Sequence, residues 1–207
     1  MKILALDSSG LVASVAVVEN DTLLAEYTVN YKKTHSQTLL PMLDEISNMT
    51  ELDLSTIDAI AVAGGPGSFT GLRIGSATAK GLGLALEKPL ISIPTTAAIA
   101  YNIWDTDKFV CPIMDARRNQ VYTGVYCYTD HRLDTVWEQD TMSIEALAEG
   151  LNCLDHEVIF LGDGVAVYRE KLEALLTIPF SFAPAHVNRQ RAAAVGALAE
   201  VYYKSAY

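Results

Sequence analysis

Short apolar runs separated by turn residues open the chain. Ile3 to Leu6 is apolar, Val12 to Val18 is rich in β-branched residues, and Leu23 to Val29 partly alternates, with Ser8-Ser9-Gly10 and Glu19-Asn20-Asp21 between them. This punctuation predicts an antiparallel three-strand meander. From His35 to Asn48 the period changes. Leu39, Leu40, Met42, Leu43 and Ile46 recur at helical spacing, and Pro41, which has no amide hydrogen, strains that helix or delays its start. Ile57 to Ala63 reads as a buried strand running into Gly64-Gly65-Pro66-Gly67-Ser68-Phe69-Thr70-Gly71. A helix over Leu72 to Leu86, a strand at Leu90 to Ile93 and a helix from near Thr95 follow.

The second half repeats this order. Cys111-Pro112-Ile113-Met114-Asp115 matches Ile3-Leu4-Ala5-Leu6-Asp7 as a strand ending in Asp, and both lead through a polar turn into a β-rich stretch, here Val121 to Tyr128. Val158 to Leu161, opening into Gly162-Asp163-Gly164, matches Ile60 to Ala63, opening into Gly64-Gly65. Two related βββαβα halves are the economical reading, although chance strand-Asp and strand-Gly pairs occur in any α/β protein. Asn102, Trp104, Asp105 and Asp107 interrupt the pattern, which places one half at residues 1–104 and the other at 105–207. Asn188 to Tyr203, with Ala192, Val195, Leu198, Ala199 and Tyr202 at helical spacing, reads as a closing helix able to pack back on the first half.

Composition narrows the function classes. Half of the 207 residues are apolar, enough for a real core, and 15 Lys and Arg against 25 Asp and Glu leave a net charge of −10. That charge repels a phosphate backbone, so direct, unaided nucleic-acid binding is not expected. Cys111, Cys127 and Cys153 are odd in number, sit in apolar sequence and form no C-x-x-C pair, so a disulfide framework and a zinc site are not expected. Asp7 follows only four apolar residues, too early for a signal-peptide core. With no long apolar span either, the expectation is a cytoplasmic protein without a membrane role.

Three places hold candidate chemistry. In Asp7-Ser8-Ser9-Gly10 a strand-end carboxylate and small donors either face a magnesium-bound phosphate or satisfy the turn's own backbone. Asp115, followed by Arg117 and Arg118, carries the same ambiguity. The loop containing Gly64, Gly65 and Gly67 either cradles an anion at a helix N-terminus or only shapes a turn. It has neither P-loop nor G-x-G-x-x-G spacing. Gly162 and Gly164 complete this possible vestigial nucleotide site. The third place is mechanical. Gly75, Gly81 and Gly83 inside the predicted helix cost about 1 kcal/mol each relative to Ala. Gly71, Gly75, Ala79 and Gly83 recur every fourth residue, leaving a bare face that another helix of this chain or of a partner can approach. The histidines, including His35, have no i, i+4 partner, and no G-x-S-x-G elbow occurs.

Ile3 to Asp7, His35-Ser36-Gln37-Thr38-Leu39-Leu40-Pro41, the run Gly64 to Gly75 and Asp115-Ala116-Arg117-Arg118 together resemble the TsaB family, also called YeaZ, in the right order over most of the chain. The resemblance implies the α/β actin-like ATPase fold of sugar kinases, Hsp70 and actin, built from two duplicated subdomains. It also implies a part in forming N6-threonylcarbamoyladenosine at position 37 of tRNA. In that system TsaD transfers the threonylcarbamoyl group, TsaB binds TsaD, and the ATPase TsaE joins them. ATP or ADP and a metal ion are expected on those partners rather than tightly on this chain. TsaD carries an H-x-x-x-H metal pair, whereas the similar segment here has His35 followed by Leu39 at the second position, so no catalytic residue is expected.

The resulting expectation is a non-catalytic subunit that offers two helices to TsaD, or to a second copy of itself when alone. His35, Leu39, Leu40, Met42, Leu43 and Ile46 form one half of that interface, and Gly71, Arg73, Gly75, Ser76, Ala79, Lys80 and Gly83 the other. The competing expectation is a stand-alone ATP-binding phosphotransferase that uses Asp7 with the glycine turns.

Overall fold

The side chains of Ile3 to Leu6 are wholly buried, as a strand covered on both faces requires. The computed structural model describes residues 1–31 and 38–206, so the reading of His35 lies outside the described residues. β1 (Lys2–Asp7) runs antiparallel to β2 (Val12–Glu19), with Asp7 opposite Ser14. β3 (Thr22–Asn30) completes the meander on the far side of β2. α1 (Leu39–Thr50) then turns Leu39, Met42, Leu43 and Ile46 inward. Pro41 falls in its first turn, where an amide has no intrahelical acceptor to lose. β4 (Ala59–Ala63) pairs parallel with β1, α2 (Phe69–Leu86) crosses over, and β5 (Leu90–Ile93) pairs parallel with β4. The sheet order is β3-β2-β1-β4-β5, and α3 (Thr95–Ala100) follows β5.

The second sheet is built the same way. β6 (Phe109–Arg117) is antiparallel to β7 (Gln120–Thr129), and β8 (Arg132–Ser143) completes that meander. After α4 (Ile144–Leu154), β9 (Val158–Leu161) pairs parallel with β6; α5 (Val165–Leu175) then leads to β10 (Phe180–Phe182), parallel to β9. Its order, β8-β7-β6-β9-β10, repeats the first sheet strand for strand, with α4 and α5 at the places of α1 and α2. The expected duplication is therefore present in topology. Phe160, Phe180 and Phe182 meet at ring separations of 5.7 to 6.4 Å in this core.

α6 (Ala192–Ala206) belongs with the first sheet. It lies on β1 and β2 so closely that a Cβ at Gly196 would stand 2.8 Å from Val18 Cγ2. Leu4 and Leu6 point into the core under α1, and α6 covers the other face of β1, which accounts for its unbroken burial. The start of α6 is held by polar bonds: the Ala192 amide donates to Ser14 Oγ at 2.9 Å and the Ala193 amide to Glu26 Oε1 at 3.1 Å. A carboxylate there also meets the positive end of the helix dipole.

The chain divides into two units. One holds Met1–Ala98 and the segment from Gln190 onward, and the other Ile99–Arg189. The boundary thus falls inside α3 instead of after residue 104. The polar residues that suggested the later boundary form a turn ahead of β6, where Thr106 Oγ1 accepts from the Lys108 amide and Asn102 Nδ2 donates to the Arg189 carbonyl. No helix among the described residues is long and apolar enough to cross a membrane.

The cysteines differ more than their sequence surroundings suggested. Cys111 is buried, and burial pushes its thiol up to about 12, whereas Cys153 is exposed. Iodoacetamide at mildly alkaline pH should therefore label Cys153 in the folded protein and reach Cys111 only on unfolding, as peptide mass mapping would show.

Candidate functional site

The β1–β2 turn is closed on itself. Asp7 is fully buried, and its Oδ1 accepts from the Ser9 amide at 2.9 Å and from Ser9 Oγ at 2.7 Å. This is the local pattern by which an Asp stabilises a turn. The glycine loop before α2 rests on that turn. Ser8 Oγ donates to the Gly71 carbonyl at 2.9 Å, and the Ser68 amide donates to the Ser9 carbonyl at 2.7 Å. Gly67 has φ +155, and a Cβ there would stand 2.3 Å from the Ser9 carbonyl oxygen. At Gly71 the Cβ would meet the Ser8 carbonyl oxygen at 2.0 Å, and at Gly75 it would meet Ser8 Oγ at 2.5 Å. Only glycine fits a backbone approach of this kind.

Four of the loop's amides, those of Gly64, Gly65, Ser68 and Gly71, are engaged within the protein. The Gly64 amide donates to the Ile93 carbonyl at 2.8 Å, the Gly65 amide to Thr95 Oγ1 at 3.1 Å, and the Gly71 amide to Ser68 Oγ at 3.3 Å. Of the two sequence readings, the geometric one therefore has a direct physical content here. Asp7, Ser8, Ser9, Gly64, Gly65 and Gly67 are brought together, with Asp7 bonded to Ser9, Ser8 to Gly71, the Gly64 and Gly65 amides to Ile93 and Thr95, and Gly67 set against the Ser9 carbonyl.

The second unit has a more open counterpart. Gly162, at φ +101, and Gly164 lie against the Ile113 carbonyl, and the Gly164 amide donates to it at 3.0 Å. Asp115 Oδ1 accepts from the Arg117 amide at 2.8 Å and from the Tyr168 hydroxyl at 3.1 Å, while the Asp115 amide donates to Asp163 Oδ1 at 3.3 Å. Burial raises the Asp163 carboxyl above its ordinary range, partly offset by the Asp115 amide and the Arg189 guanidinium. Asp163 and Tyr168 were not among the sequence candidates. The acid between Gly162 and Gly164 was the available signal for the first, and only the packing of α5 reveals the second.

The expected interface residues separate into two groups. Gly71, Gly75, Ala79 and Gly83 are buried on the sheet of their own unit, against Ser8, Val62 and Leu90, so the bare stripe is a close helix-to-sheet contact and not a free face. Leu39, Met42, Leu43 and Ile46 are likewise core residues, because a helix beside a sheet must bury one apolar stripe. Leu40, Arg73 and Lys80 are exposed, and Ser76 is half-buried. Beside them stand Met49 on α1, 78% exposed, whose apolar side chain beyond the core stripe the sequence already offers, and Phe69 and Leu84 on α2, 68% and 84% exposed, which were not among the sequence candidates. Phe69 and Leu84 could have been found by asking which apolar residues of α2 lie opposite its glycines.

Comparison with known proteins adds the family. The family model described as TsaD, tRNA N6-adenosine threonylcarbamoyltransferase, matches residues 22–206. The tRNA threonylcarbamoyladenosine biosynthesis protein TsaB of Bacillus subtilis is 35% identical over 85% of this chain and 77% of that protein. The solved structure of YeaZ from Pseudomonas aeruginosa superposes with a TM-score of 0.81 at 26% identity, over 99% of this chain and 93% of that one. A hexokinase from Thermus thermophilus, at 13% identity and a TM-score of 0.52 over 99% of this chain and 100% of that one, shares the actin-like ATPase fold alone.

Two measurements test this geometry. Gly71→Ala should destabilise by about 2–4 kcal/mol, because the Ser8 backbone must move. Gly81→Ala, where an added Cβ meets nothing within 4 Å, should stabilise by about 1 kcal/mol. Equal denaturant midpoints for the two variants would contradict the close approach. Asp163 binds its proton more tightly folded than unfolded, so its contribution to stability falls as pH rises from its ordinary value of 3.8 through the raised folded value, then levels. Asp163→Asn removes that slope, so its stability relative to the parent should rise with pH over that window.

Proposed function

We propose that this chain, which belongs to the TsaB (YeaZ) family of tRNA threonylcarbamoyladenosine biosynthesis proteins, is a non-catalytic subunit that binds a TsaD transferase and supports threonylcarbamoyl transfer to adenosine 37 of tRNA. The observation that carries the reading is the surplus of exposed apolar side chains on α1 and α2, helices that pack on one core cluster. Leu40, Met49, Phe69 and Leu84 are large side chains left in water, a pattern that marks a surface normally covered. Leu39 supports the non-catalytic part. At the position where TsaD-type sequences carry their second histidine, this chain has an apolar side chain 1% exposed in the core of α1.

On this reading nucleotide and metal belong to the partner subunits, TsaE joins the larger assembly, tRNA is reached through TsaD, and the same face pairs two copies when the chain is alone. The closed β1–β2 turn favours the subunit over the stand-alone phosphotransferase, since Asp7 Oδ1 and the Gly64, Gly65, Ser68 and Gly71 amides already bond within the protein.

Co-purification with the TsaD of the same organism tests the reading. The parent chain should be retained, and Met49→Glu combined with Leu84→Glu should abolish retention and lower N6-threonylcarbamoyladenosine in the tRNA of a TsaB-depleted host supplied with the variant. Unchanged retention would remove the interface. Magnesium-dependent ATP binding by the isolated chain, lost in Asp7→Ala, would favour the phosphotransferase.

A further inference from the structure

The turn that joins β6 to β7 is bent against the preference of its residues. Arg117 pairs with Gln120, which leaves Arg118 and Asn119 as a two-residue loop, and the register slips between Asp115 and Arg117. Arg117, Arg118 and Asn119 have φ 65, 53 and 63. A tight hairpin turn of this kind demands positive φ and draws Asn and Gly for that reason, because a larger side chain's Cβ crowds the following carbonyl there. Asn119 suits its place, whereas an arginine does not. Among the described residues, the other non-glycine positions at positive φ are Asn, Asp, Glu or His.

Bonds from three elements hold that strain in place. Asp115 Oδ1 accepts the Arg117 amide at 2.8 Å, and the Tyr168 hydroxyl of α5 donates to the same oxygen and stands 3.4 Å from the Gln120 carbonyl. Asn119 Nδ2 donates to Glu145 Oε2 of α4 at 2.8 Å, while Lys171 Nζ of α5 donates to Asn119 Oδ1 and lies 3.1 Å from Glu145 Oε1. A costly backbone persists only where its surroundings over-determine it. The fixed turn presents two adjacent guanidiniums. Elsewhere Arg191 pairs with Glu26, Arg189 donates to the Gly162 carbonyl, and Arg73 and Arg169 lie over phenyl rings. The Arg117 and Arg118 side chains are exposed and have no ion pair, hydrogen bond or ring contact among the described residues. The acids that hold the turn are themselves matched, Glu145 by Lys171 and Asp115 by an amide and a hydroxyl.

We infer that Arg117 and Arg118 grip the sugar–phosphate backbone of the tRNA once TsaD holds it, each guanidinium donating to the oxygens of a phosphate. The inference rests on the function proposed above and gives this chain a contact of its own with the substrate. Phosphate fits better than an acidic protein surface because the tip has no apolar side to bury: residues 115–120 and α4 contribute none of the large apolar side chains left in water. A protein interface needs an apolar centre, whereas a phosphate contact needs cations and donors alone. The chain's net charge of −10 keeps two arginines from capturing nucleic acid unaided, so the contact acts on RNA already brought close.

Binding of an unmodified tRNA transcript to the assembly of this chain with its cognate TsaD, followed by fluorescence anisotropy at several salt concentrations, tests the contact. Arg117→Ala combined with Arg118→Ala should weaken binding about tenfold or more at low salt and reduce the slope of log affinity against log salt by about one per arginine. Retention of TsaD should be unchanged. Arg118→Gly should weaken tRNA binding while leaving the thermal midpoint equal to or above the parent's, because glycine takes positive φ without strain; an arginine kept only for structure would not separate the two. Affinity within about twofold of the parent and an unaltered salt slope for the double variant, with the assembly intact, would overturn the phosphate contact and leave the partnership standing. Loss of TsaD by the double variant would make the tip a protein interface and overturn the contact too. Inorganic pyrophosphate bound by the isolated parent and not by the double variant, with tRNA affinity unchanged, would assign the arginines to a free anion and overturn the backbone contact. An assembly that does not form with the parent chain would end the underlying reading, and the inference with it.

Discussion

One close approach organises the first unit: the glycine loop and first turns of α2 lie directly on the β1–β2 turn, near enough that a single added carbon at Gly67 or Gly71 would overlap a carbonyl oxygen. A contact between two stretches of backbone has no side chain that can yield, so the position of α2 is set by the sheet and not by adjustable packing. Ser8 ties the contact with its hydroxyl, and Asp7 holds the turn in shape from within. What α2 shows to solvent follows from this. With its small residues seated on the sheet, the larger and charged ones point the other way.

The same arrangement gives the strand-Asp turn and the glycine loop a structural role of their own. Gly64, Gly65, Ser68 and Gly71 direct their amides at Ile93, Thr95, Ser9 and Ser68, partners supplied by the protein. Unit 2 repeats the design with Gly162 and Gly164 against Ile113, yet leaves Asp115 exposed and raises Asp163 by burial. Two copies of one topology have thus come to hold their polar groups differently.

Much of the fold was legible in the chain. The meander, the strands Leu90 to Ile93 and Val158 to Leu161, and the duplication follow from apolar runs, turn residues and a repeated strand-Asp and strand-Gly order. The domain boundary was not legible. Asn102 to Asp107 are polar because they turn on the surface, whereas the crossing inside α3 is apolar and leaves no compositional mark.

By itself the sequence determined periodicity, and periodicity determined which segments are strands and helices, that α2 has a bare side, and which family the motifs resemble. It could not determine what the bare side faces. Glycine lowers the cost of close approach equally to a sheet, a neighbouring helix or another subunit, and the local chain has no term that distinguishes them. Only the folded unit decides, by bringing Ser8, Val62 and Leu90 under Gly75, Ala79 and Gly83, and in doing so it assigns Phe69, Arg73, Lys80 and Leu84 to the outside.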